Sequence, residues 1–340
     1  MSFTAYATSP LSRALFIPAL VSAFICAAVG VWYGWIALAT VLLLVILEVT
    51  LSFDNAVVNA KVLEKMSPVW RHRFLTWGII IAVFLTRAVL PIVIVALSAW
   101  ASPLVIAQLA LFDAPRYAEL LEHAEYIIGA FGSMFLLMAG FHYFFDTEKR
   151  RHWIQPIERH LVTWGSIDAI EIVIALVLLA VIAASIPLHT AEILLAGIVG
   201  IVLFAIVQGV AKMFSDTASM GSGLALFAYL NVLDAAFSLD SVVGAFALSK
   251  EIVIIVIGLG IGAYFVRSLT IYMVENGTLG ELVYLEHGAH WAILGLAGAM
   301  IANMFVHIPD PITGFIGLLF VGSAYVSSIR IVDDPVHVSH

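Results

Sequence analysis

Eight charged side chains lie within or at the edge of long apolar segments of the sequence. They comprise six acids and two arginines: Glu48, Asp54, Asp168, Glu171, Asp234, Asp240, Arg87 and Arg267. If these segments cross a bilayer, each charge at its centre costs at least about 2.5 kcal/mol, so six bare acids cost on the order of 15 kcal/mol. The arginines can neutralise two acids, and the remaining negative charges indicate that this region binds cations or protons.

The polar residues around these acids recur at helical spacing, which places them on two continuous faces. The first face carries Glu48, Ser52, Asn55 and Asn59, with Asp54 beside it. The second face carries Asp234, Ser238 and Ser241, with Asp240 beside it. Carboxylate, amide and hydroxyl oxygens suit Mn²⁺, Mg²⁺ or Ca²⁺, whereas copper and zinc favour imidazole or thiolate. The two faces therefore predict a site for a hard divalent cation.

Several of these residues also fit a structural role. Asp168 and Glu171, which follow Ser166, form the Asp-x-x-Glu pattern of a capping box, which would place them at a helix start. Arg87 and Arg267 are the natural counter-ions that hold buried carboxylates ionised and in place. Both interpretations of the acids, ligand and helix cap, stay open at this point.

Composition defines the elements that must position these residues. Hydrophobic residues make up 63% of the 340 and charged residues only 11%, whereas soluble domains average about 25% charged residues. Such a chain cannot cover a water-facing surface, which excludes a soluble enzyme, a secreted disulfide scaffold and a disordered regulator. The net charge of −8 and the lack of a basic stripe exclude nucleic acid as a partner.

Continuous apolar runs favour membrane helices over the alternating strands of a barrel. A helical span takes about 20 apolar residues, so the chain can hold about ten. Breaks with Pro, Gly or charge predict an all-α polytopic membrane protein with spans at residues 14–33, 36–60, 74–98, 126–145, 166–186, 192–212, 223–248, 252–274, 290–306 and 312–329. Placing the loop 61–73 in the cytoplasm assigns eleven Lys and Arg residues to that side and only two, Arg116 and Lys250, to the other. This asymmetry predicts cytoplasmic termini.

The chain also repeats itself. The segment from Glu48 to Val58 aligns with the segment from Asp234 to Gly244, Arg87 aligns with Arg267, and Leu-Glu-His at 121–123 aligns with Leu-Glu-His at 285–287. Five spans separate the partners, so the halves are inverted, as in many secondary transporters. We expect a first repeat over residues 1–160, with its fifth span reaching about 186, a second over 190–330, and a polar tail over 331–340.

The doubled motif Glu48-x-x-x-Ser52-x-Asp54-Asn55 and Asp234-x-x-Phe237-Ser238-x-Asp240-Ser241 resembles the paired acidic motifs of the TerC integral membrane family. The resemblance covers about residues 40–300 and is closest to a long bacterial branch. It implies a protein of the bacterial inner membrane, related to proteins of manganese efflux and tellurium resistance. It further implies that the ion ligands are Glu48, Asp54, Asn55, Asp234, Asp240 and Ser241. Asp168 and Glu171 lie outside the motif, so the resemblance leaves their role open.

The leading hypothesis is a secondary transporter, and not an enzyme, that exports a divalent cation in exchange for protons. Mn²⁺ is the first candidate, with Ca²⁺ and Mg²⁺ as alternatives, and no permanently bound cofactor is expected. The expected partners are the lipid bilayer, the cation and protons, and a homodimer is compatible with the sequence. The alternatives are a membrane platform for metal-stress or tellurium-resistance proteins, a channel, and an intramembrane hydrolase with Asp54 and Asp240 as its dyad.

Overall fold

The computed structural model describes residues 10–149, 151–215, 220–249, 251–276, 282–306, 308 and 310–332. Regular structure within these residues is helical throughout and includes no strand, which confirms the predicted all-α class. A helix lies at each of the ten segments that the sequence predicts as spans.

The first half of the chain contains α1 (Pro10–Trp32), α2 (Gly34–Leu51), α3 (Phe53–Glu64), α4 (Pro68–Ile80), a π-helical segment (Ile81–Val89), α5 (Leu90–Ser98), α6 (Pro103–Phe112), α7 (Ala114–His123), α8 (Glu125–Phe144) and α9 (Gln155–Trp164). The second half contains α10 (Ile170–Ser185), a 3₁₀ turn (Pro187–His189), α11 (Thr190–Ser215), α12 (Met220–Leu248), α13 (Ile252–Glu275), α14 (Leu285–Asn303) and α15 (Asp310–Val332).

Four segments of the described chain are long and apolar enough to cross a membrane: Ala14–Trp32, Glu125–Phe144, Pro187–Gly209 and Ile252–Glu275. A fifth is obtained if the bent pair Arg87–Ser98 and Pro103–Phe112 forms one span. Shorter apolar helices lie at Gly34–Thr50, Ile170–Ser185, Gly223–Ala235 and Phe315–Arg330. These apolar helices indicate a protein embedded in a membrane.

The structure breaks two predicted spans into shorter pieces. The span at 36–60 is divided at Ser52, where φ is −101° and ψ is 10°, so that α2 ends and α3 begins there. The span at 74–98 contains the π-helical segment between α4 and α5. Hydropathy shows that a segment is apolar but carries no information on such changes in backbone geometry. For this reason the sequence predicts a single helix in each of the two segments.

Three helices occupy segments that the sequence analysis left between spans. The helices α6 and α9 each begin with Pro in their first turn, where its missing N–H costs no hydrogen bond. The helix α7 begins after Asp113, whose Oδ1 accepts a hydrogen bond from the Arg116 backbone N–H at 3.3 Å. All three have ten residues, too few for a span.

Contacts divide the chain into two compact units, and one of the three boundaries between them lies inside α12. The first unit holds Met1–Ala124 and Leu230–Gly277, and the second holds Glu125–Tyr229 and Thr278–His340. Each unit is built from two separate stretches of chain, whereas the predicted repeats are consecutive. A contact unit and a sequence repeat are different properties, so the predicted repeat boundaries stay a prediction.

The first unit is centred on α13, which packs against α1, α2 and α3. Gly258 and Gly262 of α13 face α2 so closely that an added Cβ would lie 2.5 Å from Leu44 Cβ and 2.6 Å from Glu48 Cβ. Close helix packing therefore explains why glycine occupies these two positions. Small residues four apart allow this approach.

The second unit is centred on α8, which packs against α11 and α14, while α14 also packs against α15. Gly200 of α11 lies against the backbone carbonyl of Phe131, where an added Cβ would be 2.5 Å from the oxygen. An added Cβ at Gly140 of α8 would overlap the side chain of Leu294 on α14. Glycine contacts therefore set the spacing of the helices within this unit as well.

Candidate functional site

A buried ion pair joins Glu48 on α2 to Arg87 in the π-helical segment of the first unit. Oε1 of Glu48 accepts hydrogen bonds from the Arg87 guanidinium and, at 2.8 Å, from the hydroxyl of Ser52. The exposed fractions of the two charged side chains are 1% for Arg87 and 0% for Glu48. The second oxygen of Glu48 has no hydrogen-bond partner among the described residues. One oxygen of this carboxylate therefore binds Arg87 and Ser52, while the other can still accept a cation or a proton.

A second ion pair in the same unit joins Asp234 on α12 to Arg267 on α13. The Arg267 guanidinium donates to Oδ2 of Asp234 at 3.3 Å and to the backbone carbonyl of Phe74 at 2.9 Å. Its carbon lies 4.2 Å above the centre of the Phe74 ring, in cation–π geometry. Gly78, one turn after Phe74, leaves the space that the guanidinium occupies, because an added Cβ would overlap it.

The two pairs occupy equivalent positions of the predicted sequence repeat. Glu48 aligns with Asp234 and Arg87 aligns with Arg267, and each arginine contacts the acid of its own half. Because an unpaired buried charge is strongly unfavourable, these contacts are what an internal counter-ion must make. Two of the six acids counted in the sequence thus face an arginine directly.

The structure describes only part of the predicted ligand set. Ser52, Asn59 and Ser241 are buried, as are Glu48 and Asp234. The predicted ligand side chains of Asp54, Asn55, Ser238 and Asp240 lie outside the described part of the chain. In that part, no group of three or more His, Cys, Asp or Glu side chains could hold a metal ion. The ion site therefore stays a prediction that depends on those four side chains.

Asp168 and Glu171 belong to the second unit, beside the start of α10. Asp168 is exposed, and Ala169 precedes the helix with a φ of +57° and no side-chain cap. The hydroxyl of Ser166 donates to the carbonyl of Thr163 at 2.8 Å. The capping-box interpretation is therefore wrong, because Ala169, and not Asp168, directly precedes the first helical residue Ile170, and no side chain caps the helix.

Glu171 itself has a specific neighbour. Its Oε2 lies 3.6 Å from Nδ1 of His142, near the end of α8, and its side chain is half-buried. This contact connects the end of α8 to the start of α10. The predicted ligand role of Glu171 remains a prediction.

A further buried charge cluster, which the sequence analysis did not predict, surrounds Glu158 on α9. The carboxylate is fully buried and accepts hydrogen bonds from Nδ1 of His287 at 2.9 Å and from the indole N–H of Trp291 at 3.0 Å. The ammonium of Lys149 lies 3.3 Å away and Nδ1 of His152 3.7 Å away. All five residues belong to the second unit.

Burial raises the pKa of Glu158, but the hydrogen bonds from His287 and Trp291 and the charge of Lys149 outweigh it and lower the pKa to about 2. Burial also lowers the pKa of Lys149 and of His152, against the attraction of Glu158. The carboxylate is therefore ionised throughout the physiological range. The available signals in the sequence were His287 and Trp291 at i and i+4 and, separately, the charged segment from Asp146 to Arg151, but nothing local connects that pair to residue 158.

Comparison with known proteins gives one match. Residues 53–333 match the family described as Protein of unknown function (DUF475). Neither the curated proteins nor the solved structures give a match. The matched segment begins directly after Ser52 and includes Arg87, Asp234, Arg267 and Glu158. Because it covers well over half of the sequence, the chain belongs to the DUF475 family.

Proposed function

We propose that this protein is a secondary transporter that exports a divalent cation, with Mn²⁺ as the first candidate, in exchange for protons. The observation that carries the proposal is the pair of buried ion pairs, Glu48 with Arg87 and Asp234 with Arg267, at equivalent positions of the repeat. Membership of the TerC family, a bacterial inner-membrane location and cytoplasmic termini are parts of the same proposal.

Charge balance leads from these pairs to a cation. Each arginine neutralises one acid, yet each motif contains a second acid, Asp54 in the first and Asp240 in the second. Two acids without matching arginines leave a formal charge of about −2 on apolar helices, and such a charge is costly unless a cation or protons balance it. One divalent cation, or two protons in its place, does so.

Backbone geometry supports an ion site at the first motif. The boundary between α2 and α3 falls at Ser52, one turn after Glu48 and two residues before Asp54. The backbone hydrogen bonds from the Ser52 N–H to the Glu48 carbonyl, at 2.9 Å, and from the Ala56 N–H to the Ser52 carbonyl, at 3.1 Å, are kept across the boundary. Secondary transporters commonly place coupling ions where a helix is interrupted. The π-helical segment that carries Arg87 is a second departure from regular geometry beside the same acid.

Contacts inside the second unit support the ten-span arrangement with inverted halves. Two contacts join ends predicted on the extracytoplasmic side: Asn303 with Glu125 at 3.0 Å, and the His189 and Tyr126 rings at 4.3 Å between centres. Three join ends predicted on the cytoplasmic side: His142 with Glu171, His287 with Glu158, and the Tyr284 N–H with the Ser328 hydroxyl. If one span were missed or added between the two residues of any of these contacts, those residues would lie on opposite sides of the membrane. The contacts therefore favour the predicted order of spans.

Transport by purified protein in liposomes tests the proposal. We expect Mn²⁺ flux driven by a proton gradient in the native protein, and flux at the level of empty liposomes in Asp54→Asn and Asp240→Asn. Asp146→Asn provides the control, because Asp146 is an exposed acid of the loop after α8. Each variant must insert and purify as the native protein does. Native rates in both motif variants would contradict the proposal, as would the absence of flux in the native protein.

A further inference from the structure

The Glu158 carboxylate connects two parts of the second unit that are far apart in sequence. Within its own segment it accepts the backbone N–H groups of Trp153 and Ile154, at 3.1 and 3.2 Å. From α14 it accepts the imidazole of His287 and the indole of Trp291. Each oxygen therefore accepts one hydrogen bond from the start of the α9 segment and one from the first two turns of α14. These residues, together with Lys149, are called the Glu158 latch.

Aromatic contacts extend the latch to the end of α8. The Lys149 ammonium lies 4.0 Å from the centre of the Tyr143 ring and 4.4 Å from that of Phe144. The Tyr143 ring also stacks on His290 of α14, with centres 3.7 Å apart and planes within 9°. The end of α8 and the start of α14 are therefore held together by charge, hydrogen bonds and ring stacking.

The opposite ends of the same two helices are also joined. The Asn303 side-chain amide of α14 donates to Oε1 of Glu125, the first residue of α8, at 3.0 Å. Close by, an added Cβ at Gly129 would lie 3.2 Å from the Met304 side chain. Between the two ends, Gly140 accommodates Leu294. The contact between α8 and α14 thus runs along their whole length.

We propose that the Glu158 latch fixes α8 to α14, so that this helix pair stays joined through the transport cycle and acts as a static frame. This inference rests on the proposed transport function. The repeat alignment makes α8 and α14 equivalent helices, so the frame is formed by one helix from each half. Opening the latch would remove the His287 and Trp291 donors from a fully buried carboxylate, which makes separation of the helices unfavourable. During transport the helices outside this pair then move, while α8 and α14 stay together.

Hydrogen exchange tests the latch without any transport measurement. In Glu158→Gln we expect backbone exchange to rise at least about tenfold in peptides covering 145–160 and 285–292, because a neutral amide replaces the ionised acceptor. Glu148→Gln is the matched control, since Glu148 is exposed on the same loop. Trp291→Phe, which removes one donor and keeps the ring packing, should give a smaller rise in the same peptides. Unchanged exchange in both Glu158→Gln and Trp291→Phe would overturn the latch.

Cross-linking tests the static frame during transport. Gly140→Cys with Leu294→Cys, in a background where the single cysteine Cys26 is replaced by serine, allows a short bifunctional methanethiosulfonate to join α8 and α14. This reagent links the two thiols through disulfides, which a reductant cleaves. We expect cross-linked protein to keep most of its Mn²⁺ flux. Loss of flux that reduction restores would overturn the static frame while leaving the transporter intact. If the native protein carries no flux, the proposed function fails, and hydrogen exchange alone decides the latch.

Discussion

Replacing Arg87 with glutamine removes the charge that faces the buried carboxylate of Glu48. Both side chains are almost fully buried, with exposed fractions of 1% and 0%, so water cannot screen the loss. Breaking a buried ion pair by removing one partner costs about 3–5 kcal/mol, because the other charge remains buried. We therefore expect Arg87→Gln to lower the free energy of unfolding by about that amount, with the Ser52 hydroxyl alone still donating to Oε1.

A double-mutant cycle separates this electrostatic effect from lost packing. Glu48→Gln together with Arg87→Gln leaves two neutral amides, so we expect the double variant to be more stable than Arg87→Gln alone. The coupling energy should reach at least about 2 kcal/mol, which is the size found for buried partners in direct contact.

Reversible unfolding in mixed lipid and detergent micelles, followed by tryptophan fluorescence, measures each corner of the cycle. Arg116 and Glu119 provide a control pair, joined at 2.7 Å but with 61% and 59% of their side chains exposed. Their coupling should stay below about 1 kcal/mol. Additive effects of Glu48→Gln and Arg87→Gln would refute the reasoning, because they would show that the two charges do not stabilise each other.

Three further outcomes follow from the described contacts. Gly262→Ala places a methyl group 2.6 Å from Glu48 Cβ and should lower the free energy of unfolding by about 1–3 kcal/mol in the same assay. Gly298→Ala is the control, because an added Cβ there has nothing within 4 Å, and it should not lower the free energy of unfolding. Equal effects of the two substitutions would contradict the close approach at Gly262. Ser52→Ala removes a donor to a buried carboxylate and should cost about 1.5–3 kcal/mol, so a neutral result would argue against that bond. The pKa of Glu158 is lowered from 4.5 to about 2, so its ionised form stabilises the fold above pH 4.5 and this contribution is lost as the pH falls towards 2. The stability advantage of the native protein over Glu158→Gln should therefore shrink between pH 4.5 and 2, and a constant difference across that window would disprove the assignment.

Features encoded by local pattern were predictable from the sequence. Long apolar runs bounded by Pro and Gly predicted helices, and helices lie at all ten positions. The repeat aligned Arg87 with Arg267, and each arginine contacts the acid of its own motif.

Features that depend on distant parts of the chain were not predictable. Glu158 and His287 are separated by 129 positions, and no local spacing connects them. The break at Ser52 depends on a serine that would also fit inside a regular helix. The capping box of Asp168 and Glu171 failed because its sequence pattern was present while Ala169, with its positive φ, directly precedes the helix and no side chain caps it. Local spacing encodes neither this backbone angle nor the distant partner of Glu158.

The π-helical segment Ile81–Val89 has a consequence for comparing sequences of this family. Its backbone N–H groups bond five residues back and not four, so each turn holds more residues than a regular turn. Because a π turn accommodates one more residue than an α turn, deleting one residue there would restore ordinary α-geometry. The chain beyond it would rotate much less than the roughly 100° that a deletion from a regular helix causes. An arginine at the position of Arg87 would then stay near the side of the helix that meets Glu48. A one-residue gap at this segment in an alignment of relatives would thus mark a regular α-helix in place of the π-helical segment, with the arginine and the other motif residues retained.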